Sequence, residues 1–148
     1  MRANKIIGEV SELETPIVDL NQVKTLKFMS FGSGSSGNCS YIGTEAGGFL
    51  IDAGVDMQQV IDALTQNGIP MSSIKGICLT HEHMDHIKYV YTFLRKYKMA
   101  LFCTNRVLQG ILRKHNISRR IKDYHVAIYK EIPFKILDFE ITAFNVSH

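Results

Sequence analysis

Cysteine is scarce in this chain: Cys39, Cys78 and Cys103 are the only ones among 148 residues, and no C-x-x-C spacing occurs. An odd count in apolar, strand-like surroundings argues against a disulfide framework and for reduced, buried thiols in a cytoplasmic protein. Long apolar runs are also missing. No stretch has the length needed to cross a bilayer, so no membrane span is expected. The apolar core of a secretory signal is absent too: residues 1–24 are polar, carry Glu9, Glu12, Glu14 and Asp19, and break at Thr15-Pro16. They are read as a polar N-terminal extension with no assigned function. Internal repeats and low-complexity tracts are lacking. What is left, 45% apolar and 21% charged, is the composition of one globular domain at most.

The net charge of +3 hides an asymmetry. Residues 1–87 hold 5 Lys/Arg and 10 Asp/Glu, whereas residues 88–135 hold 12 Lys/Arg and only 2 Asp/Glu, a local net of +10. Such a block suggests a polyanionic substrate, nucleic acid above all. The plainer reading is that Arg95, Lys96, Lys98, Arg113, Lys114, Arg119, Arg120 and Lys122 are solvated helix and loop positions.

Hydrophobic periodicity divides the remainder, residues 25–148, into alternating elements. Strands are expected over residues 26–31, 39–43 and 49–52, and a helix capped by Asp56 over residues 57–66, ended by Asn67-Gly68. A strand over residues 74–79 precedes a helix from about Asp85 to Tyr97, with Ile87, Val90, Tyr91 and Leu94 buried. A short strand over residues 99–103 leads to a helix capped by Thr104, with Val107, Leu108, Ile111 and Leu112 as its core stripe. Two further strands are expected over residues 134–139 and 141–147. The alternation indicates a layered α/β domain. The segment 32–38 could serve as a phosphate-binding nest. It lacks a P-loop's Gly-Lys-Ser/Thr and no helix follows, so a tight turn between strands is the simpler reading. His115 and His125 match no motif and are read as surface residues.

The chemistry concentrates at residues 81–86, His-Glu-His-Met-Asp-His, directly after the strand ending Ile77-Cys78-Leu79-Thr80. In an extended segment alternate side chains face one way, so His81, His83 and Asp85 can converge on a metal ion. His86, at the start of the next helix, is offset towards a second position. Imidazole and carboxylate donors suit zinc, with manganese or iron also compatible. The start of that helix would point its positive end at the same place.

A strand ending in Thr-His-x-His-x-Asp-His resembles the hallmark of the metallo-β-lactamase superfamily. The segments Lys27-Phe28-Met29-Ser30-Phe31-Gly32-Ser33-Gly34-Ser35-Ser36-Gly37-Asn38-Cys39 and Phe49-Leu50-Ile51-Asp52-Ala53-Gly54 resemble its YycJ/WalJ-like branch. The likeness covers residues 27–148. It implies an αββα sandwich, of which this chain would supply the first half. It also implies two divalent metal ions: His81, His83 and His148 on the first, Asp85 and His86 on the second. Asp85 would serve as the catalytic carboxylate, and Asp52 would brace the metal loop without binding metal. Read without the resemblance, Asp52 is an ordinary turn carboxylate and His148 an unremarkable last residue.

Complete members carry a bridging aspartate and a final histidine beyond the residue matched by His148. The chain is therefore expected to be a fragment or truncated product of a longer enzyme, and by itself to bind the second metal weakly and hydrolyse poorly. The resemblance implies a metal-dependent phosphodiesterase or nuclease acting on DNA, and possibly on RNA. Alternatives are a thioester, lactone or lactam hydrolase, an inactive regulatory fragment, or a diiron redox enzyme. The last is disfavoured because such relatives usually carry Glu where His83 stands. Protein partners are not legible.

Overall fold

The computed structural model describes residues 25–144. The expectations for residues 1–24 and for His148 lie outside the described residues. Strands β1 (Lys27–Gly32), β2 (Cys39–Thr44) and β3 (Gly47–Ile51) form an antiparallel meander. Helix α1 (Met57–Gln66) and a 3₁₀ turn at Met71–Ser73 carry the chain to β4 (Ile74–Cys78), parallel to β3. Helices α2 (Met84–Ile87) and α3 (Val90–Tyr97) lead to β5 (Ala100–Cys103). Helix α4 (Asn105–Lys114) and a 3₁₀ segment, Arg119–Tyr124, lead to β6 (His125–Ala127). The sheet runs β1-β2-β3-β4-β5-β6 and is parallel from β3 onward. A separate antiparallel hairpin pairs β7 (Phe134–Ile136) with β8 (Phe139–Ile141).

Two apolar clusters fix the layers. On one face Leu50, Ile77 and Leu101 pack with Val60, Leu64, Phe93, Leu94, Leu108 and Ile111 from the helices. On the other, Ile42, Phe49, Ile51 and Cys78 pack with Ile136, Phe139 and Ile141 of the hairpin. The rings of Phe49 and Phe139 meet edge-on at 5.5 Å. With both faces covered, all five residues of β3 are buried, which explains its unbroken apolar run. Both predicted caps are made: Asp56 accepts from Gln59 N–H and Thr104 from Val107 N–H, each at 3.2 Å.

The structure corrects three expectations. The single helix over residues 85–97 is broken, because Tyr89 N–H donates to Ala53 C=O (2.8 Å) and His86 C=O accepts from Ala53 N–H (2.8 Å). The backbone at the break is spent on the loop after β3, and Tyr91 is only half-buried. The last hairpin is shorter than expected, turning at Leu137-Asp138 with Leu137 in the left-handed region at φ 55°. Finally, like His115, His125 is half-buried and not fully exposed. It opens β6, and its Nε2 sits 2.8 Å from Cys103 C=O. A three-residue edge strand offers too little periodicity to be read from sequence.

All three cysteines are free and buried. Burial pushes the Cys103 thiol up to about 12, and burial reinforced by the Asp52 charge raises Cys39 and Cys78 well above the usual range. A thiol-reactive aromatic disulfide should therefore label none of the three in the folded protein and all three in denaturant. Prompt labelling under native conditions would contradict this packing.

Candidate metal centre

Strand β4 brings the chain to the carboxyl edge of the sheet, where parallel strands present chemistry. Leu79 N–H donates to Phe102 C=O at 3.0 Å, and Asp52 N–H donates to Cys78 C=O at 2.8 Å, so the strand end is fixed on both sides. Asp52 lies at the matching end of β3, 4% exposed and in the left-handed region at φ 63°, a conformation that Asp tolerates better than most residues. Its Oδ1 accepts from Thr80 N–H (2.9 Å) and its Oδ2 from Thr80 Oγ1–H (2.7 Å). The same Oδ2 lies 2.7 Å from His86 Nδ1. This hydrogen bond, helped by the charges of Asp52 and Asp85, raises the His86 pKa despite partial burial.

One carboxylate thus sets the orientation of Thr80 and His86 together. Having donated its proton to Asp52, the Thr80 hydroxyl can accept from His81 Nδ1, 2.8 Å away. The His81 ring lies 4.8 Å from the His86 ring and stacks on the His83 ring at 5.8 Å. With Nδ1 engaged by Asp52, His86 turns Nε2 towards Asp85 Oδ2, 3.9 Å away.

Asp85 is held by the turn between β1 and β2. Asn38 Nδ2 donates to Asp85 Oδ2 at 3.2 Å, and Asn38 N–H donates to Asp85 C=O at 2.7 Å. Gly54 N–H in turn donates to Asn38 C=O at 2.8 Å. The three loops approach so closely that a Cβ on Gly54 would overlap the carbonyl oxygen of Asp85. The turn over residues 32–38 is closed by Asn38, whose side chain bonds both Gly34 N–H (3.0 Å) and Gly34 C=O (2.8 Å). It is a tight turn in which Gly34 N–H and Gly37 N–H are engaged internally and Asn38 N–H is spent on Asp85, so these three donors do not face an anion. Beside it opens a cavity of about 320 Å³, lined in part by Phe31, Gly37, Val55, Lys88 and Tyr89.

The structure therefore gathers Asp52, His81, His83, Asp85 and His86 at one sheet edge. The extended geometry ends at His83, and Asp85 already lies in the first turn of α2. Because α2 spans only four residues, the expected helix-dipole contribution at this point has little basis. Among the described residues no three His, Cys, Asp or Glu side chains are drawn into a closed metal-holding group. Glu82 points away from the imidazoles, pairs with Lys114 and lies against Gly110 of α4. Sequence reasoning gave no part to Asn38, Thr80 or the Glu82–Gly110 contact. Local signals existed for Thr80, at the strand end before His81, and for Asn38, in the segment that carries the branch resemblance, but neither pointed to a role.

The family described as the metallo-β-lactamase superfamily matches residues 32–145. The chain belongs to the metallo-β-lactamase superfamily. Among its relatives are exodeoxyribonuclease YycJ of Bacillus anthracis and exodeoxyribonuclease WalJ of Streptococcus pneumoniae serotype 2. Each is 30% identical over 123 residues. The alignment covers 83% of this chain and 46% of the first relative, and 82% and 45% for the second, so the chain spans less than half the length of either. Among solved structures, MEM-A1, a subclass B3 metallo-β-lactamase from a soil metagenome library, superposes with a TM-score of 0.63 at 19% identity, covering 79% of this chain and 48% of that one. The chemotaxis sensor ODP gives a TM-score of 0.59 at 18% identity, covering 75% of this chain and 44% of that one. These likenesses establish the fold, of which the described residues carry a helical layer, the six-stranded sheet and a hairpin packed on its other face.

Three substitutions test the frame of this superfamily site. Gly54→Ala should destabilise the protein by about 3 kcal/mol, because the neighbouring atoms are backbone and cannot move aside cheaply. Asp52→Ala should cost about 3 kcal/mol by leaving Thr80 and His86 without their acceptor. Asp52→Asn, which keeps one oxygen and tolerates the left-handed backbone, should cost about 1 kcal/mol. Urea denaturation measures all three, and equal losses for the two Asp52 variants would contradict the assigned role of the carboxylate.

Proposed function

We propose that the chain carries the metal-binding loop of a metal-dependent hydrolase that cleaves phosphodiester bonds in DNA, with RNA as a second polymer of the same chemistry. The observation that carries this reading is the braced loop itself: three imidazoles and Asp85 stand at one sheet edge, with His86 oriented by Asp52 and Asp85 by Asn38. The names of the two 30%-identical relatives support the nuclease reading, as does the run of 12 Lys/Arg over residues 88–135.

The donor set fits a divalent ion, zinc by preference and manganese or iron by compatibility. His81 and His83 would hold one ion, with His148 as the expected third donor, and Asp85 and His86 would hold another. A bound ion of this kind supplies hydroxide near neutral pH and neutralises charge on a phosphate. The protein's own part is orientation. Asp52 fixes the tautomer of His86 and leaves Nε2 directed at the site. Asn38 pins one oxygen of Asp85, leaving this carboxylate placed to accept a proton.

Incubation of a full-length parent with labelled single- and double-stranded DNA and RNA tests the reading directly. Cleavage should require Zn²⁺ or Mn²⁺, stop with a chelator and fall to background in Asp85→Ala. Asp52→Asn should weaken metal affinity by about 10–100-fold in a chelator competition. No metal-dependent cleavage of any nucleic acid would overturn the proposal, and cleavage only of a thioester or lactone would replace it with the small-substrate alternative.

A further inference from the structure

We propose that the exposed cations of residues 113–122, which begin beside the metal loop, form the track that carries the phosphate backbone of a polynucleotide. The inference rests on the phosphodiester reading above and says where such a substrate lies. Glu82, between His81 and His83, is ion-paired to Lys114. Its carboxylate occupies the space that a side chain on Gly110 would take. The last turn of α4 is therefore docked on the loop that holds the histidines. The Lys114 hydrogen bond, helped by the charges of Lys114, Arg113 and His115, keeps the Glu82 carboxyl below its ordinary range.

From this point the chain runs through Arg113, Lys114, Arg119, Arg120 and Lys122 with no Asp or Glu before Asp123, and all five cations are exposed. Among the described residues, Lys114 is the one member of the five engaged in an ion pair. The 3₁₀ segment that presents the later three is anchored by fully buried Ile121 and by Ser118, whose hydroxyl oxygen accepts from Arg120 N–H at 3.2 Å. The charges are thus held on fixed backbone, which lowers the ordering cost of binding.

Other cations of the basic block are placed differently. Arg95 lies over the Tyr91 ring at 6.0 Å and Lys96 over the Tyr97 ring at 5.5 Å. Outside the block, Lys75 sits at the start of β4, the end of that strand remote from the metal loop. A membrane surface is a poor match for residues 113–122, because their apolar members Ile117 and Ile121 are half-buried and buried.

The test is metal-free binding of a fluorescent single-stranded oligonucleotide in chelator, followed by anisotropy from about 50 to about 300 mM salt. The double variant Arg113→Glu/Arg120→Glu is compared with Lys27→Glu/Lys75→Glu, which makes the same charge change at the starts of β1 and β4, outside the basic block. The first should raise Kd about tenfold or more and reduce the salt slope by roughly 1.4, about 0.7 for each lost phosphate contact. The second should change Kd by less than about twofold. Arg113→Gln/Arg120→Gln should move both quantities the same way by a smaller amount. Equal weakening by the two charge-reversal pairs would overturn the track, as would failure of the unsubstituted chain to bind, or equal displacement of the oligonucleotide by polyglutamate. Because binding is read without metal, loss of the track and loss of the hydrolytic reading are separable. Track-dependent binding without cleavage counts against the chemistry, and cleavage without track dependence counts against the track.

Discussion

The carboxylate of Asp52 is the interaction on which the arrangement at the sheet edge depends. It is buried, it sits at a backbone angle that few side chains accept, and it satisfies Thr80 N–H, Thr80 Oγ1 and His86 Nδ1 together. A buried carboxylate with unmatched oxygens would be costly, so these partners stabilise it as much as it orients them. The consequence reaches across the loop. By taking the Thr80 proton, Asp52 leaves the hydroxyl oxygen to receive His81, and by taking the His86 Nδ1 proton it commits the other ring nitrogen to the side of Asp85.

A second constraint comes from alternation within the same six residues. The imidazoles of His81 and His83 stack together while Glu82, between them, pairs with Lys114 of α4. One face of the loop thus carries the donors and the other fastens the loop to a helix. Gly110 is needed for that fastening because a side chain there would occupy the place of the Glu82 carboxylate. The basic end of α4 is consequently part of the site's surroundings, although it lies some thirty positions later in the chain.

Much of the architecture could be read from periodicity. Val60 and Leu64 on α1, Leu108 and Ile111 on α4, and the apolar runs of β3 and β4 face the core as their spacing requires. The break between α2 and α3 could not be read, since nothing in Lys88-Tyr89 stops a helix. The interruption is made by Ala53, a residue from another loop, which competes for the backbone groups of His86 and Tyr89. The β6 strand was hidden for a related reason: three residues at an edge acquire their conformation from pairing with β5.

By itself the sequence determined the family, the donor types of the candidate metal loop and the position of that loop after a strand. These depend on residue identity and short spacing, which a linear chain displays directly. Only the tertiary structure decided that Asp52 faces Thr80 and His86, that Asn38 holds Asp85, and that Glu82 turns from the donors towards Lys114. Such contacts join loops from different strands. They exist because the parallel order of β3, β4 and β5 sets the ends of those strands side by side.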